Sequence, residues 1–271
     1  RNRYLLETAA ANPKARSLNT PEEEIGEMMR RVISHEIGHA LGLPHNMKAS
    51  SAYPVDSLRS GEFTQKYGIA TTIMDYARYN YIAQPGDENI RFVRQLGPYD
   101  DYSIEWGYRY YDKSPEEEKK ILSQFVDEKS LDPMYMFGGR GNDPDAQTEN
   151  IGDDPIKASF YGLKNLKIVA RNLMDWTLQP NDDYTDLNEL YGELTGVYRR
   201  YINHVHSIIG GVNKTLHTTN QQDVVTYKSV EKAKQIEALA FLNTHVWETQ
   251  AWLMQPQLIS EIKSEGILLN L

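Results

Sequence analysis

The strongest constraint on the fold of this chain is the segment 35–45, where three histidines recur at fixed spacing. His35 and His39 are four residues apart, so on a helix both imidazoles project from the same side and can share one metal ion. Gly42 suits a sharp turn out of that helix, after which His45 returns as a third nitrogen ligand. Three histidines leave one position of a tetrahedral ion open, which is typical of a catalytic rather than a structural site.

Glu36 follows the first histidine and is not needed as a ligand. Imidazole ligands suit zinc, and a zinc ion lowers the pKa of its bound water to roughly 7. Glu36 is therefore predicted to act as the general base that takes a proton from this water and passes it to the leaving amine. The alternative is a helix whose histidines are ordinary core or surface residues, and the length of the motif disfavours it.

The helix that carries the motif has recognisable start and stop signals. Thr20 is predicted as its N-cap, with Pro21 as the first helical residue and Glu23 as the capping-box partner. The helix is expected to end near Leu41, just before Gly42. One helical face is expected to contain the residues that recur at steps of three and four: Ile25, Met28, Val32, His35 and His39.

The rest of the chain predicts a mainly α protein. Helices are expected at residues 98–110, from 115 to 126, and at 155–177, 184–209 and 229–254. Residues 46–70 and 132–155 are predicted as loops. Residues 210–227 could hold a short hairpin.

Composition excludes several classes of protein. The formal net charge of -9 makes the chain a poor nucleic-acid binder, because phosphate neutralisation needs clustered Lys and Arg. The sequence has no Cys, which rules out disulfides and thiolate metal sites. No stretch approaches the roughly 18 consecutive apolar residues of a membrane span.

The motif of His35, Glu36, His39, Gly42 and His45 resembles that of the metzincin clan of zinc metallopeptidases. The resemblance implies a methionine turn beneath the metal, and the segment 73–76 is similar to one, with Met74 as its floor residue. It also makes Tyr76 a candidate fifth ligand or oxyanion donor. The alternative for Tyr76 is a packed aromatic side chain.

Several further segments resemble a group of large, exported bacterial zinc metallopeptidases that carry a long helical region after the catalytic core. These segments are 74–80, 84–87, 96–100 and 104–108. The resemblance implies an exported protein, extracellular, periplasmic or on the bacterial cell surface. It also implies two parts, a metzincin-like zinc-binding catalytic subdomain at residues 1–112 and a helical C-terminal region at 113–271.

The resemblance also implies an upper subdomain built on a twisted sheet that precedes the zinc helix. Only 19 residues precede Thr20, too few for several strands. The chain is therefore expected to hold the lower (C-terminal) half of a metzincin-like catalytic domain followed by its helical extension. The upper sheet subdomain is expected to belong to a missing N-terminal portion of the same polypeptide, without which peptidase activity is doubtful.

The function expected from these observations is that of a zinc-dependent endopeptidase acting on protein or peptide substrates. The alternatives are a non-catalytic zinc-binding scaffold or interaction module derived from a metzincin, and a zinc hydrolase of a non-peptide substrate. A Ca²⁺ site is a weaker possibility in the acidic loop 132–154, where a solvated loop is favoured; its acids are Asp132, Asp143, Asp145, Asp153 and Asp154.

Two further sets of residues have less specific roles. The remaining histidines are expected to be structural: His204, His206, His217 and His245. Four residues are expected either to support the zinc site from beneath or simply to pack in the core: Tyr99, Asp100, Glu105 and Trp106.

Overall fold

The structure, a computed structural model, describes residues 1–139 and 141–261 and is mainly α-helical, as the sequence predicts. The two short strands in this part of the chain pair antiparallel, with Asn213 opposite Lys228. In chain order the elements are α1 (Asn2–Thr8), α2 (Glu22–Ala40), α3 (Gly61–Tyr67), α4 (Pro98–Tyr108), α5 (Pro115–Lys129), α6 (Pro155–Thr177), α7 (Thr185–His206), β1 (Val212–Lys214), β2 (Tyr227–Ser229), α8 (Lys232–Leu242) and α9 (Pro256–Glu261).

Helices α4, α5 and α6 begin at a proline that suits the first turn. Ser114 and Glu117 form a reciprocal capping box at the start of α5. The side chain of Asp154 accepts hydrogen bonds from the first backbone amides of α6. These local signals explain why α4, α5 and α6 lie close to their predicted positions; α7 also does, although it starts without a side-chain cap.

Helix α2 differs from the prediction at its start. It begins at Glu22 with Pro21 as N-cap, and no side chain caps it, so the predicted roles of Thr20 and Glu23 are wrong. Instead, three glutamates in the first turn stabilise the start of the helix, because their negative charges lie at the positive end of the helix dipole. At the other end the prediction is confirmed, because the helix stops at Ala40 and Gly42 adopts a positive φ of 84°.

Val32 lies in the same helix as the histidines, as predicted, and its side chain is 46% exposed. One other prediction about the helices is wrong. The single helix predicted at 229–254 is broken, because α8 ends at Leu242 and a π-helical turn follows at Asn243–Trp247. The carbonyl of His245 in this turn accepts a hydrogen bond from the Tyr198 hydroxyl of α7, a long-range contact that the local sequence does not reveal.

The hydrophobic core joins the two ends of the chain. Helices α6 and α7 pack along each other, and α1 packs against both. One continuous cluster of buried side chains contains Tyr53 and Tyr81 from the first half and Leu166 and Tyr191 from the second. The division between residues 112 and 113 therefore stays a prediction, since buried side chains from both sides share this core.

Within residues 1–139 and 141–261, no helix combines the length and the apolar character needed to cross a membrane. Residues 1–21 form α1 and turns, with no strand ahead of α2.

Helix α4 fixes the position of the C-terminal half of α2. The Tyr108 hydroxyl at the end of α4 donates a hydrogen bond to the carbonyl oxygen of Leu41, at 2.9 Å. At the start of α4, the backbone amide of Tyr99 donates to the carbonyl of Thr71 at 3.0 Å. The loop of residues 71–76 is thereby held between α4 and the histidine-bearing end of α2.

Candidate metal centre

Three imidazole rings converge at the end of α2. His35 and His39 lie one helical turn apart, and Gly42 lets the chain turn back so that His45 faces both of them. The Nε2 atom of His45 lies 3.2 Å from Nε2 of His35 and 3.0 Å from Nε2 of His39. In the described part of the chain, these three residues form the one group of His, Cys, Asp and Glu side chains close enough to hold a metal ion together.

Backbone carbonyls orient two of the three rings. Nδ1 of His35 lies 2.7 Å from the carbonyl oxygen of Ile73, and Nδ1 of His39 lies 2.9 Å from that of Leu43. A carbonyl only accepts, so each Nδ1 carries the proton and donates it. The lone pair of each Nε2 is then left free and directed at the common centre, as metal binding requires.

The spacing of these nitrogens fits a tetrahedral ion. Two nitrogens bound at about 2.0–2.1 Å from one zinc ion lie about 3.3 Å apart. The observed separations of 3.0 and 3.2 Å are close to this value. Three neutral nitrogen donors without a thiolate or carboxylate among them suit zinc among the common ions.

His35 is the buried member of the group, whereas His39 and His45 are half-buried. Burial lowers the pKa of His35 below its ordinary value, against the effect of the hydrogen bond to Ile73, and the nearby guanidinium of Arg94 lowers it further. A lowered pKa keeps this imidazole neutral at pH 7, the form that can bind a metal.

Met74 lies under α2 between the two helical histidines. Its side chain is fully buried, and its sulfur lies against Gly38. The carbonyl of Met74 accepts a hydrogen bond from the amide of Asn46, at 3.2 Å, which ties this loop to the residue after His45. The position is the one expected for the floor of the site, and the role of Met74 as a methionine turn stays a prediction.

Tyr76 lies beside the histidine group. Its ring centroid is 4.4 Å from that of His45 and 5.6 Å from that of His35. The side chain is half-buried, so its hydroxyl is not locked inside the core. Both roles foreseen for Tyr76, participation at the metal and packing against the rings, stay open.

Glu36 lies on the outer side of α2, where it is exposed. Along the same side run Ile33 and Ile37, which are 53% and 54% exposed. The carboxylate is therefore open to a molecule arriving from that side. Its role as general base stays a prediction.

A second set of side chains surrounds the histidines and the loop beneath them. The sequence did not predict that most of these residues lie near the site. The Asp100 carboxylate accepts hydrogen bonds from the Thr72 hydroxyl and the Ile73 amide, as a support beneath the site should. Arg94 donates to the carbonyl of Ile73, and Asn46 fastens residues 136 and 138 beside His45. Arg94 and Asn46 lie in stretches without periodicity, so no sequence signal marks them.

Tyr99, Glu105 and Trp106 do not support the histidines directly. The Tyr99 ring packs against Tyr102, and Glu105 pairs with Arg109 on the surface of α4. Trp106 is 48% exposed. Of the four residues suggested by the sequence, Asp100 alone is seen to contact the loop under the metal centre through its side chain.

The carboxylates of the acidic loop contact other parts of the fold. Asp143 and Asp145 both lie within ion-pair distance of Lys48, and Asp154 caps α6 and pairs with Lys234. Asp153 accepts a hydrogen bond from the amide of Val55. These side chains are tied to the fold rather than free in solvent, and the possible Ca²⁺ site stays a prediction.

Three of the remaining histidines make local contacts. His204 is buried on α7, with Nε2 lying 2.9 Å from the carbonyl of Thr148. Nε2 of His217 lies 3.0 Å from the hydroxyl of Thr226, and the His245 ring packs on that of Phe241. His206 is exposed on the same helix as His204, so these two rings lie on different sides. The structural role expected of all four stays a prediction.

Three converging histidines, with a glutamate beside the first of them, form a possible metal site of the kind found in zinc metallopeptidase-like folds. A family model described as Met-zincin matches residues 17–270, nearly the whole chain, and the protein belongs to this family. No curated protein and no solved structure gives a significant match.

Proposed function

We propose that the protein is a zinc-dependent endopeptidase that hydrolyses peptide bonds in proteins or peptides. The observation that carries this proposal is the convergence of three imidazoles, with Nε2 of His45 within 3.2 Å of those of His35 and His39, and with a glutamate next to the first histidine. Membership of the Met-zincin family supports the same class of activity. The four-residue spacing on α2 and the turn at Gly42 are what bring the ligands together.

His35, His39 and His45 would hold the ion, and the carbonyls of Ile73 and Leu43 keep the first two rings in the correct orientation. When bound, zinc supplies a Lewis acid that makes water nucleophilic near neutral pH and polarises a carbonyl. Glu36 accepts the proton of the attacking water and donates it to the departing amine. Tyr76, next to His45, donates a hydrogen bond to the oxyanion that develops on the substrate.

The outer face of α2 supports a further part of the proposal, that a preceding portion of the same polypeptide completes the cleft. Apolar side chains recur there at every fourth position and are exposed: Met29, Ile33, Ile37 and Leu41. A stripe of this kind on a helix normally packs against another element. Glu36 lies within this stripe, so the covering element would form the wall opposite the histidines.

The alternative is a non-catalytic zinc-binding scaffold. Glu36 argues against it, because an ion held for structure needs no exposed carboxylate beside its open position. Hydrolysis of a non-peptide substrate is a third possibility, which only a substrate panel can separate. An exported location in bacteria remains part of the proposal through the sequence resemblance alone.

The test is to replace Glu36 by Gln in the full polypeptide and measure cleavage of a fluorogenic peptide library together with zinc content. Loss of the general base is expected to lower kcat/KM by about 10²–10⁴-fold while one zinc per chain is retained. Glu22→Gln is the matched control, because Glu22 is also exposed on α2 but lies in its first turn. It is expected to cleave at the wild-type rate.

Three results would contradict parts of this proposal. Unchanged cleavage by Glu36→Gln would exclude Glu36 as the base. A zinc-loaded wild-type polypeptide that cleaves no peptide would favour the scaffold, or, if it hydrolyses esters or other amides, the non-peptide hydrolase. Full activity of residues 1–271 alone would show that no further portion is needed to complete the cleft.

A further inference from the structure

The backbone of Ile73 is held on both sides of its Cα atom beneath the metal centre. Its carbonyl oxygen accepts hydrogen bonds from Nδ1 of His35 and from a guanidinium nitrogen of Arg94. Its amide donates to the Asp100 carboxylate at 3.1 Å. The residue whose carbonyl orients His35 is thus fixed by two charged side chains distant in sequence.

Arg94 is buried to an unusual degree for an arginine, with 5% of its surface exposed. None of the ion pairs among the described residues includes Arg94, and its Nε atom has no hydrogen-bond partner there. Burial lowers the pKa of Arg94 to about 10, so the guanidinium remains charged at neutral pH. Removing such a group from water costs several kcal/mol, which the fold must offset elsewhere.

The contact of Arg94 with the Ile73 carbonyl explains why this guanidinium is buried despite the cost in free energy. A carbonyl oxygen has two lone pairs, and without Arg94 the second one would be buried unpaired beside His35. At longer range Asp75 and Asp100 attract the charge of Arg94, whereas Arg31 and Arg78 oppose it. The guanidinium is therefore placed where it can lock a carbonyl rather than neutralise a single acid.

Asp100 fixes the amide of Ile73, in the preceding peptide group. As the third residue of α4, it accepts from the amide of Gly97 at 2.9 Å and so caps its own helix. The same carboxylate binds the hydroxyl of Thr72 and the amide of Ile73. These contacts tie the start of α4 to the loop under the metal centre.

We infer that Arg94 and Asp100 are positioning residues for metal binding, which hold the Ile73 carbonyl where it fixes the ring direction and tautomer of His35. The inference rests on the metal-binding part of the proposed function and does not depend on proteolysis. A ring free to rotate about its Cβ–Cγ bond would direct Nε2 away from the other two nitrogens for part of the time. Support of this kind is typically worth about 10–100-fold in metal affinity.

The experiment measures zinc affinity by chelator competition and the visible absorption spectrum of the Co²⁺-substituted protein. The variants are Arg94→Met, Arg94→Lys and Asp100→Asn, each compared with the wild type at equal folded fraction by circular dichroism. Arg59→Met is the matched control, since Arg59 makes a bidentate ion pair with Asp87 and a contact with Tyr161, none of them a residue of the metal centre.

Arg94→Met and Asp100→Asn are expected to raise the zinc Kd by about 10–100-fold and to change the Co²⁺ bands, because His35 loses its fixed direction. Arg94→Lys should recover part of the affinity, since an ammonium can still donate to the carbonyl. Arg59→Met should lower stability and leave the zinc Kd within about twofold of wild type.

A zinc Kd for folded Arg94→Met or Asp100→Asn equal to or lower than that of wild type, with unchanged Co²⁺ bands, would overturn the inference. The charge of Arg94 repels a cation, so tighter binding would mean that repulsion outweighs positioning. If Arg94→Met does not fold, Arg94→Lys and Asp100→Asn decide. A wild-type chain that binds neither ion would instead contradict the proposed function.

Discussion

Gly38 occupies the position on α2 between the two helical histidines, where any side chain would point at Met74. A Cβ atom added at Gly38 would overlap the Met74 sulfur and contact its methyl carbon at 3.3 Å. Glycine in a helix interior normally costs about 1 kcal/mol relative to alanine. At this position the loss is offset, because the absent side chain lets Met74 pack directly under the metal centre.

Gly38→Ala is therefore expected to destabilise the protein, by about 1–3 kcal/mol, although alanine is the better helix former. Combining it with Met74→Ala should remove much of the overlap, so the two substitutions should be strongly non-additive in urea unfolding. Gly26→Ala on the same helix is the control, as nothing lies within 4 Å of a Cβ there. That variant should gain about 0.5–1 kcal/mol. Equal gains for both glycines would contradict close packing of Met74.

The histidines could be predicted from the sequence because their convergence depends on local geometry, namely a four-residue helical step and one turn at Gly42. Gly38 also carries a sequence signal, because a glycine in the middle of a helix often indicates close packing against another residue. Arg94 and Asp100 reach the site from 21 and 27 residues beyond Ile73. Asp100 is among the supports expected from the sequence, whereas the contact of Arg94, which lies just before α4, depends on tertiary packing that residue spacing does not encode.

At the scale of elements, prediction succeeded where a helix carries its own boundary signals. Helices α4, α5 and α6 each begin at a proline that follows a capping residue or turn. It failed at α1 and α3, which are seven residues each and too short to show a period. For α3 a usable signal existed, since Ser60 caps it and Gly68 ends it with a positive φ.

Helix α7 holds the end of the acidic loop through two side chains. His204 is bound to the carbonyl of Thr148, and Arg200 pairs with Glu149, which Arg3 and Arg78 also contact. Burial lowers the pKa of His204 to about 4, and Arg200 lowers it further, while Glu149 and the Thr148 bond act in the opposite sense. The ring is therefore neutral in the folded protein and protonated in the unfolded chain at mildly acidic pH.

The sign of the resulting pH dependence follows from linkage. Below about pH 6.5 His204 is protonated in the unfolded chain, whereas in the folded protein it stays neutral until the pH falls to about 4. The free energy of unfolding should thus fall by about 3 kcal/mol from this residue alone as the pH drops through that window. His204→Gln should flatten the profile measured by urea unfolding from pH 7 to 4. His206→Gln, exposed two residues away, should leave it unchanged, and identical profiles for all three proteins would refute the assignment.

For the whole molecule, the loop that follows the metal centre is secured by the C-terminal helices. Asn165 of α6 donates hydrogen bonds to the carbonyls of Tyr81 and Ala83, at 2.9 and 2.7 Å. The ring of Tyr81 packs on that of Tyr201 of α7, with centroids 4.5 Å apart. Helices α6 and α7 therefore help to hold residues 74–84 in place.

This arrangement predicts that the two parts of the chain fold together. Without α6 and α7, the buried ring of Tyr81 would lose its contact with Tyr201 and face water, and burial of a large side chain is worth about 1.5–3 kcal/mol. A chain ending at residue 112 is therefore expected to remain unfolded and to bind zinc no more tightly than an unstructured peptide with the same histidines. In the 271-residue chain, hydrogen exchange of residues 69–83 and of α6 should report the same opening free energy. A shortened chain with helical circular dichroism and native-like zinc affinity would instead establish residues 1–112 as an independent domain.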